Sequence, residues 1–565
     1  HWQNRFRARR MGLPSIGKMR PVLPNIGNPP AGCPEPFPAP PRIPGGARSN
    51  FSIAAERGKG HDSLPMSARF KILVGYPPTL SKKGIALLSQ NRQFQWFSNP
   101  TRIYPVILAG AATLARDLGC EVRWLDAIAE GVSPARFFRE LESFGPDLFV
   151  FETKTPVIRQ HWALVDEIKA RFPSVRVAML GDHVTALPEE TFRACKVDYV
   201  LRGGHYDAAL ENLIRFLEAG ESGVPPDGVW KRGSVCGVLG NDVLPRKPLD
   251  ELPWPDRDLT KWKLYQKEYN LVGTPFQYIM SGRDCWHGKC TFCAWTTLFP
   301  HFSVRSPENV LGEIEMLLSR YGVKEIFDDS GTLSTGPWLE RLCEGLVARG
   351  LDRKIFYSCN MRFGALSADQ FKMMKRAGFR LLKFGLESAN QATLDRICKK
   401  TRVEDIERDC RAAKAAGLAV HLTMIVGYPW ETEEDALRTL ALAERLMKHG
   451  WADLLQATTV VPYPGTPLYA QALAEDGFLF PPTDYERFDM SEPVLKSPIP
   501  PERIRELCAK IYDIFLSPAY VFQRLKAVRR PKDLAFLARG AGAVFGHLRD
   551  FGKARKRIAA EGDEP

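Results

Sequence analysis

No run of about 18 apolar residues occurs in the 565-residue chain, which excludes a membrane-spanning helix. Neither GxGxxG nor GxxxxGK[ST] follows the first strand-like run, FKILVGYPP. Pro77-Pro78 stands there instead, and proline has no N–H to offer a phosphate, so an ordinary nucleotide-binding domain is excluded. Cysteine is sparse and scattered: nine of the twelve stand singly, which excludes a disulfide scaffold and reads as small buried hydrophobes in a reducing compartment. The net charge of +13 is absent from the body of the chain: residues 1–65 carry +7, 521–557 carry +9, 558–565 carry −3, and 66–520 sum to zero. A broad basic groove for nucleic acid is therefore not expected. No apolar signal region follows His1, so the expected location is cytoplasmic.

What remains is an alternating α/β pattern. Residues 1–65 hold twelve prolines without helical or strand period and read as a disordered extension, or as translated sequence upstream of Met66. Five strand-like runs follow, at 70–78, 120–127, 147–153, 175–183 and 197–204, with amphipathic segments between them. Continuous apolar strands separated by helices imply a doubly wound, Rossmann-like domain over 66–220, with its ligand crevice at the strand carboxyl ends. The residues at those ends are Tyr76, Pro77, Asp126, Thr153, Thr155, Gly181, Asp182, His183, Thr185, Gly203 and Gly204. Residues 221–270, rich in proline and acid, read as a linker. Six further strand-like runs between 276 and 464 imply a partial (β/α)6 TIM-type barrel over 271–484. Polar residues gather where its strands end: Asp328, Asp329, Ser330, Asn360, Arg362, Glu387 and Ser388. Residues 485–565 read as a basic helical region.

The densest chemistry is SGRDCWHGKCTFCAW, directly after the first barrel strand. Cys285, Cys290 and Cys293 put three thiolates on one loop, one short of closing a tetrahedral or cubane site. Zinc would call for a fourth Cys or His at fixed spacing, and no second CxxC or HxxxH lies downstream. A 4Fe-4S cluster with three protein ligands keeps one iron open, and Arg283 and Lys289 bring positive charge that favours an electron-rich centre.

These residues resemble the cobalamin-binding branch of the radical S-adenosylmethionine (SAM) enzymes, over roughly residues 70–480. Members carry CxxxCxxC after the first barrel strand, and here Cys285, Cys290 and Cys293 fill the ligand places with Phe292 in the aromatic place. FDDS (327–330) resembles the segment that meets the methionyl end of SAM. FGLESANQATLDRICKKT (384–401) is similar to the fourth-strand signature, with Glu387 in the SAM-contacting position. MIVGYPWET (424–432), which includes Gly427, and PYPGTPLY (462–469) match the fifth- and sixth-strand motifs. YPP, GCEVRWLDA, LGDHVTALPEE and DYVLRGG resemble the branch's cobalamin domain. Two departures stand out: four residues rather than three separate Cys285 from Cys290, with Gly288 as the residue able to absorb the extra one, and GGHYD (203–207) replaces the frequent GEGE.

The resemblance implies three cofactors: a 4Fe-4S cluster, SAM and cobalamin. The absence of DxHxxG implies that no protein imidazole sits on cobalt, with His183 and His205 the residues to watch. It further implies SAM cleavage to a 5′-deoxyadenosyl radical and C-methylation of an unactivated carbon, with ring closure or skeletal rearrangement as alternatives. Implied partners are a small-molecule or lipid substrate and an electron donor such as flavodoxin or ferredoxin, and no nucleic acid. A methylthiotransferase would need three N-domain cysteines for a second cluster and a C-terminal β-barrel; Cys120, Cys195 and Cys236 exist, but the tail reads as helical. A corrinoid or redox sensor is the non-enzyme alternative, opposed by the retained FDDS, GLES and GYPWET segments. The tail between Val521 and Arg557 mixes apolar residues with eleven Lys/Arg, expected to form a helical cap on the barrel or a peripheral membrane contact.

Overall fold

The computed structural model describes residues 70–88, 94–97, 102–233, 238–266 and 271–526. Each of the five N-terminal runs forms a strand: β1 (Lys71–Tyr76), then, after a hairpin of β2 (Ile85–Leu87) and β3 (Gln95–Phe97), β4 (Glu121–Asp126), β5 (Leu148–Thr153), β6 (Arg176–Gly181) and β7 (Tyr199–Leu201). The five pair in parallel in the order β4-β1-β5-β6-β7. The order reverses between β1 and β5, which is where an open α/β sheet places its ligand crevice. The intervening helices follow local sequence signals: Ser133 caps Pro134–Phe144 by accepting the Arg136 N–H, and Gly145, with φ of 57°, ends it.

The segment read as a linker is partly sheet. β8 (Val229–Arg232) and β9 (Val238–Gly240) extend the N-terminal sheet antiparallel beyond β7. Two strands of three or four residues carry too few alternations to register as a pattern. The rest of the segment bridges the two domains: Tyr265 donates to Asp126 (2.7 Å) and Lys261 pairs with Glu130 (2.8 Å) on the N-terminal side, while the Arg257 guanidinium, fully buried, donates to Glu313 (2.9 Å) and to the Tyr278 carbonyl (3.0 Å) of the barrel.

The second series gives β10 (Phe276–Ile279), the short pair β11 (Gly282–Arg283) and β12 (Ser303–Val304), then β13 (Glu325–Asp328), β14 (Phe356–Met361), β15 (Phe379–Glu387), β16 (Ala419–Val426) and β17 (Leu454–Thr459). The six long strands pair in sequence order, all parallel, as an open barrel of six βα units. On helix Pro307–Tyr321, Val310, Leu311, Ile314 and Leu317 face the barrel core.

The two domains share apolar packing. The N-terminal core continues into Trp295, Leu298, Phe299, Tyr463, Phe478 and Phe488. The Phe299 ring lies against Gly204, where a Cβ would come within 2.2 Å of it. The boundary expected at 484 shifts. Residues after Phe478, up to about Ile499, are turns and bends with one 3-10 turn (Tyr485–Arg487), and part of the stretch lies on the N-terminal domain, where Arg159 donates to the Thr483 carbonyl and Lys83 pairs with Asp489. Helices Pro501–Lys510 and Pro518–Lys526 follow, the second tied to the barrel through Arg524–Asp453. Val521, Phe522 and Leu525 are exposed, and the remainder of the basic tail lies outside the described residues. Among the described residues no helix is long and apolar enough to cross a membrane.

Candidate active site

A cavity opens at the carboxyl ends of β14 to β17. One side is the cysteine loop, with Asp284, Cys285, His287, Cys290, Phe292 and Cys293; the far wall is Leu87, Phe97, Ile103, Val460, Val461 and Met490. The β2–β3 hairpin, invisible in the sequence pattern, thus supplies part of that wall.

The extra residue between Cys285 and Cys290 is accommodated as expected: Gly288 adopts φ of 55°. The loop is then fastened from behind. His287 Nε2 lies 2.7 Å from the Cys398 carbonyl and must donate to it, so Nδ1 is the acceptor for the Arg362 guanidinium at 3.2 Å. Both ring nitrogens are occupied, which removes His287 as a metal ligand. Burial and the Arg362 charge hold its pKa down at about 4, so it stays neutral. Thr291 N–H donates to the Ile397 carbonyl, and Arg362 also donates to the carbonyls of Lys399 and Lys400. Loop 397–400 therefore forms the back of the cysteine loop.

Burial pushes the Cys290 thiol up to about 12, with the neighbouring Cys293 and Cys285 adding to the rise. A thiol so placed ionises only against a strong positive centre, as metal binding provides. Among the described residues no three His, Cys, Asp or Glu side chains converge closely enough to hold a single metal ion. Three cysteines on one cavity wall are a donor set that fits a polynuclear cluster, in which each thiolate takes a different iron.

Facing Cys290, Lys399 Nζ pairs with Glu387 Oε1 at 2.8 Å. Burial opposes the ammonium charge, but Glu387 and the Cys290 sulfur hold the Lys399 pKa above the ordinary lysine value. Glu387 reaches this place through a register shift between β15 and β16 at Gly385/Glu387, with its own φ at 58°. Gly385 underlies the pair: a Cβ there would fall 2.2 Å from the Glu387 carboxylate and 2.6 Å from Lys399 Nζ. Lys399, twelve residues after Glu387 in a loop, lies inside the 384–401 segment, but nothing in its spacing singles it out from Lys400.

Other expected contacts are placed differently. Asp328 is fully buried and accepts from Ser281 N–H, Ser330 and the Tyr357 hydroxyl (2.7 Å), while Ser330 Oγ accepts from Gly282 N–H. FDDS ties the strand ends together, Asp329 accepting from Asn360 (3.2 Å), and the wall itself is Gly331 and Thr332. Cys285 lies beside Thr332, Sγ to Oγ1 3.2 Å. Ser388 bonds within the Thr439–Asn390 corner, and Gly427 N–H donates to Glu431 (2.7 Å). Neither lines the cavity. Arg283 is also reassigned: its charge is paired with Asp207 (2.6 and 2.9 Å) rather than left for the cysteine loop.

None of the eleven N-terminal strand-end residues lines this cavity. Tyr76 (2.5 Å) and Tyr206 (3.2 Å) donate to Glu152, and Lys154 lies 3.6 Å from Glu152 and 3.8 Å from Asp182. Asp126 accepts from Tyr265 (2.7 Å), Thr153 bonds His161 (2.7 Å), and Thr155 lies 3.3 Å from His183. Thr185 joins the Gly181 carbonyl to Gly203 N–H, and Gly204 lies under Phe299. Pro77 is buried. His183 stacks edge-on against Tyr485 (4.7 Å) and Trp162 (5.8 Å), and burial lowers its pKa to about 3. The polar strand ends thus bond to one another. The residues here that suit the flat face of a macrocycle are the apolar ones of the far wall. Cys120 and Cys195 are buried at the amino ends of β4 and β7, the wrong end of the sheet for a second cluster facing this cavity.

The geometry defines a two-domain α/β protein with a three-cysteine cluster loop at the carboxyl end of a six-stranded barrel. Residues 279–443 match the radical SAM superfamily. The match covers the barrel from β10 into the helix that follows β16, and the chain is an enzyme. It is 29% identical over 428 residues to an uncharacterized methyltransferase of Pyrococcus horikoshii, covering 73% of this chain and 87% of that one. It is 26% identical over 384 residues to an anaerobic magnesium-protoporphyrin IX monomethyl ester cyclase of Cereibacter sphaeroides, covering 66% and 60%. In fold it is similar to the radical SAM methyltransferase TsrM of Kitasatospora setae, solved with cobalamin and a [4Fe-4S] cluster (TM-score 0.60, 14% identity, 87% of this chain and 100% of that one). It is also similar to the cobalamin-dependent radical enzyme OxsB (TM-score 0.60, 14% identity, 85% and 71%).

Proposed function

We propose that the chain is a cobalamin-dependent radical SAM methyltransferase acting on an unactivated carbon of a small-molecule or lipid substrate. One observation carries this reading: the three-cysteine loop and the Glu387–Lys399 pair open onto one cavity whose far wall is apolar and partly N-terminal. When bound, the cluster, SAM and cobalamin supply radical chemistry and a transferable methyl group. Cys285, Cys290 and Cys293 hold the cluster. Glu387 and Lys399 offer opposite charges, suited to the ammonium and carboxylate of an amino-acid end. Arg362 and His287 keep the loop rigid. Leu87, Phe97, Ile103, Val460, Val461 and Met490 exclude water and present an apolar surface to the corrin face.

A second reading, ring closure, is favoured by the likeness to the cyclase. Anaerobic reconstitution followed by incubation with methyl-labelled SAM and a reductant separates the two. The expected result is 5′-deoxyadenosine together with label in the product; cyclised product without label would replace methylation by the cyclase reading. Iron and sulfide bound without SAM cleavage would leave a sensor. An electron donor such as flavodoxin or ferredoxin is required in either enzyme reading. Cobalamin is expected without a protein imidazole on cobalt, because His183 packs edge-on against Tyr485, His205 packs against Phe299, and neither lines the cavity; nitrogen hyperfine splitting from labelled histidine in the Co(II) spectrum would refute this.

A further inference from the structure

Arg283 ends β11, two residues before Cys285, and its side chain turns away from the cavity into the N-terminal domain. There it meets Asp207, in the first turn of helix Tyr206–Glu218, in a two-pronged bridge of 2.6 and 2.9 Å. Both side chains are at least nine-tenths buried. A buried guanidinium or carboxylate without its partner is strongly unfavourable, so each residue requires the other. The helix N-terminus adds a favourable field for the Asp207 carboxylate. The same strand residue pairs with Ser303 on β12, and its neighbour Gly282 is held by Ser330, so the entry to the cysteine loop is fixed on three sides. Tyr206, beside Asp207, bonds Glu152 at the end of β5. One helical turn therefore joins the strand-end network of the N-terminal sheet to the root of the cysteine loop.

We propose that Asp207 is a positioning residue for the cluster, acting through Arg283: the pair docks the N-terminal domain on the root of the cysteine loop in electrically neutral form. It fixes Cys285 without adding net charge beside an electron-accepting centre. This rests on the cluster assignment of the proposed function.

The test uses the full chain, reconstituted anaerobically, with redox titration followed by electron paramagnetic resonance of the reduced cluster. Asp207→Asn leaves Arg283 uncompensated, which favours the reduced cluster and moves the midpoint potential upward. Arg283→Gln leaves Asp207 uncompensated and moves it downward. The double variant Asp207→Asn/Arg283→Gln returns the potential towards that of the unaltered chain. A bridge that only glues two domains would lower stability in both single variants without opposite shifts. Unshifted potentials or shifts of one sign would each overturn the proposal. If the unaltered chain binds no iron and sulfide, the cluster assignment fails instead, which is a separate result.

Discussion

Two parallel sheets in this chain end in rows of polar residues, and the two rows do opposite things. At the barrel, Lys399 and Glu387 pair across the mouth of a cavity beside three cysteines. At the N-terminal sheet, Glu152, Lys154 and Asp182 are all at least 95% buried, closed over by Tyr76 and Tyr206, and stay out of the barrel cavity. Burial raises the pKa of both Glu152 and Asp182, with the Lys154 charge working against the rise. The difference lies in what covers the strand ends. Over the N-terminal sheet, Phe299 sits on Gly204 and Tyr485 stacks on His183, so polar groups there find partners only in one another. Over the barrel, the hairpin and Met490 stand off and leave room. A row of polar residues at a switch point is therefore evidence of a site only when something holds the cover away.

The comparison is broken most severely at the cysteines. Replacing Cys285, Cys290 or Cys293 with Ala should abolish both the visible cluster absorption and SAM cleavage while the fold survives; one variant retaining full iron content and activity would remove that residue from the ligand set. In the N-terminal sheet the expected loss is of stability. Lys154→Met leaves two buried carboxylates without a counter-charge and should cost about 3–5 kcal/mol in urea unfolding. The triple change Glu152→Gln/Lys154→Met/Asp182→Asn should recover most of it, since removing a buried charge cluster whole is far cheaper than halving it. A triple variant as unstable as Lys154→Met would mean that the charges do more than pair.

Back at the barrel, Lys399→Met should leave the cluster in place and weaken SAM binding by about 2–5 kcal/mol, with Lys399→Arg recovering part of it. Unchanged SAM affinity, read by equilibrium binding, would reduce the Lys399–Glu387 pair to a structural one and erase the contrast with Lys154.

The eleven long strands were legible because each is an apolar run bounded by turn chemistry, and the alternation with helices determines parallel pairing. The cysteine loop was legible through spacing, and Gly288 as the residue that absorbs the insertion. The hairpin β2–β3 was not, because its two three-residue strands have no amphipathic helical segment beside them to complete a βα unit, whereas the equally short β7 has one. Lys399 was missed because a loop, not a strand end, carries it to the cavity. Of the FDDS segment, Asp328 and Ser330 bond the strand ends, and the chemically quieter Gly331-Thr332 that follow it line the cavity, a division that composition does not reveal. Strand-end position was read as exposure to ligand, and only the covering residues decide that.

The smallest expected effect concerns a carboxyl in the GYPWET turn. Glu431 is fully buried, accepts from Gly427 N–H at 2.7 Å, and has its pKa raised to about 7, with burial as the chief cause. A carboxyl whose folded pKa lies above its unfolded value of about 4.5 binds more protons in the folded state between those two values. Stability should therefore fall as pH rises from about 4.5 to about 7, by up to about 3 kcal/mol at about 1.36 kcal/mol per unit. Glu431→Gln cannot ionise and keeps an oxygen acceptor for Gly427. The variant should match the unaltered chain near pH 5 and exceed it in thermal stability near pH 8. It also sharpens the comparison of the two sheets, since Glu431 is a barrel-end carboxyl that is covered, as Glu152 is, and among the described residues has no cation paired with it. A variant less stable than the unaltered chain at pH 8 would mean that the charged carboxylate is held by the turn's backbone donors, and that cover alone does not decide how a strand-end carboxyl behaves.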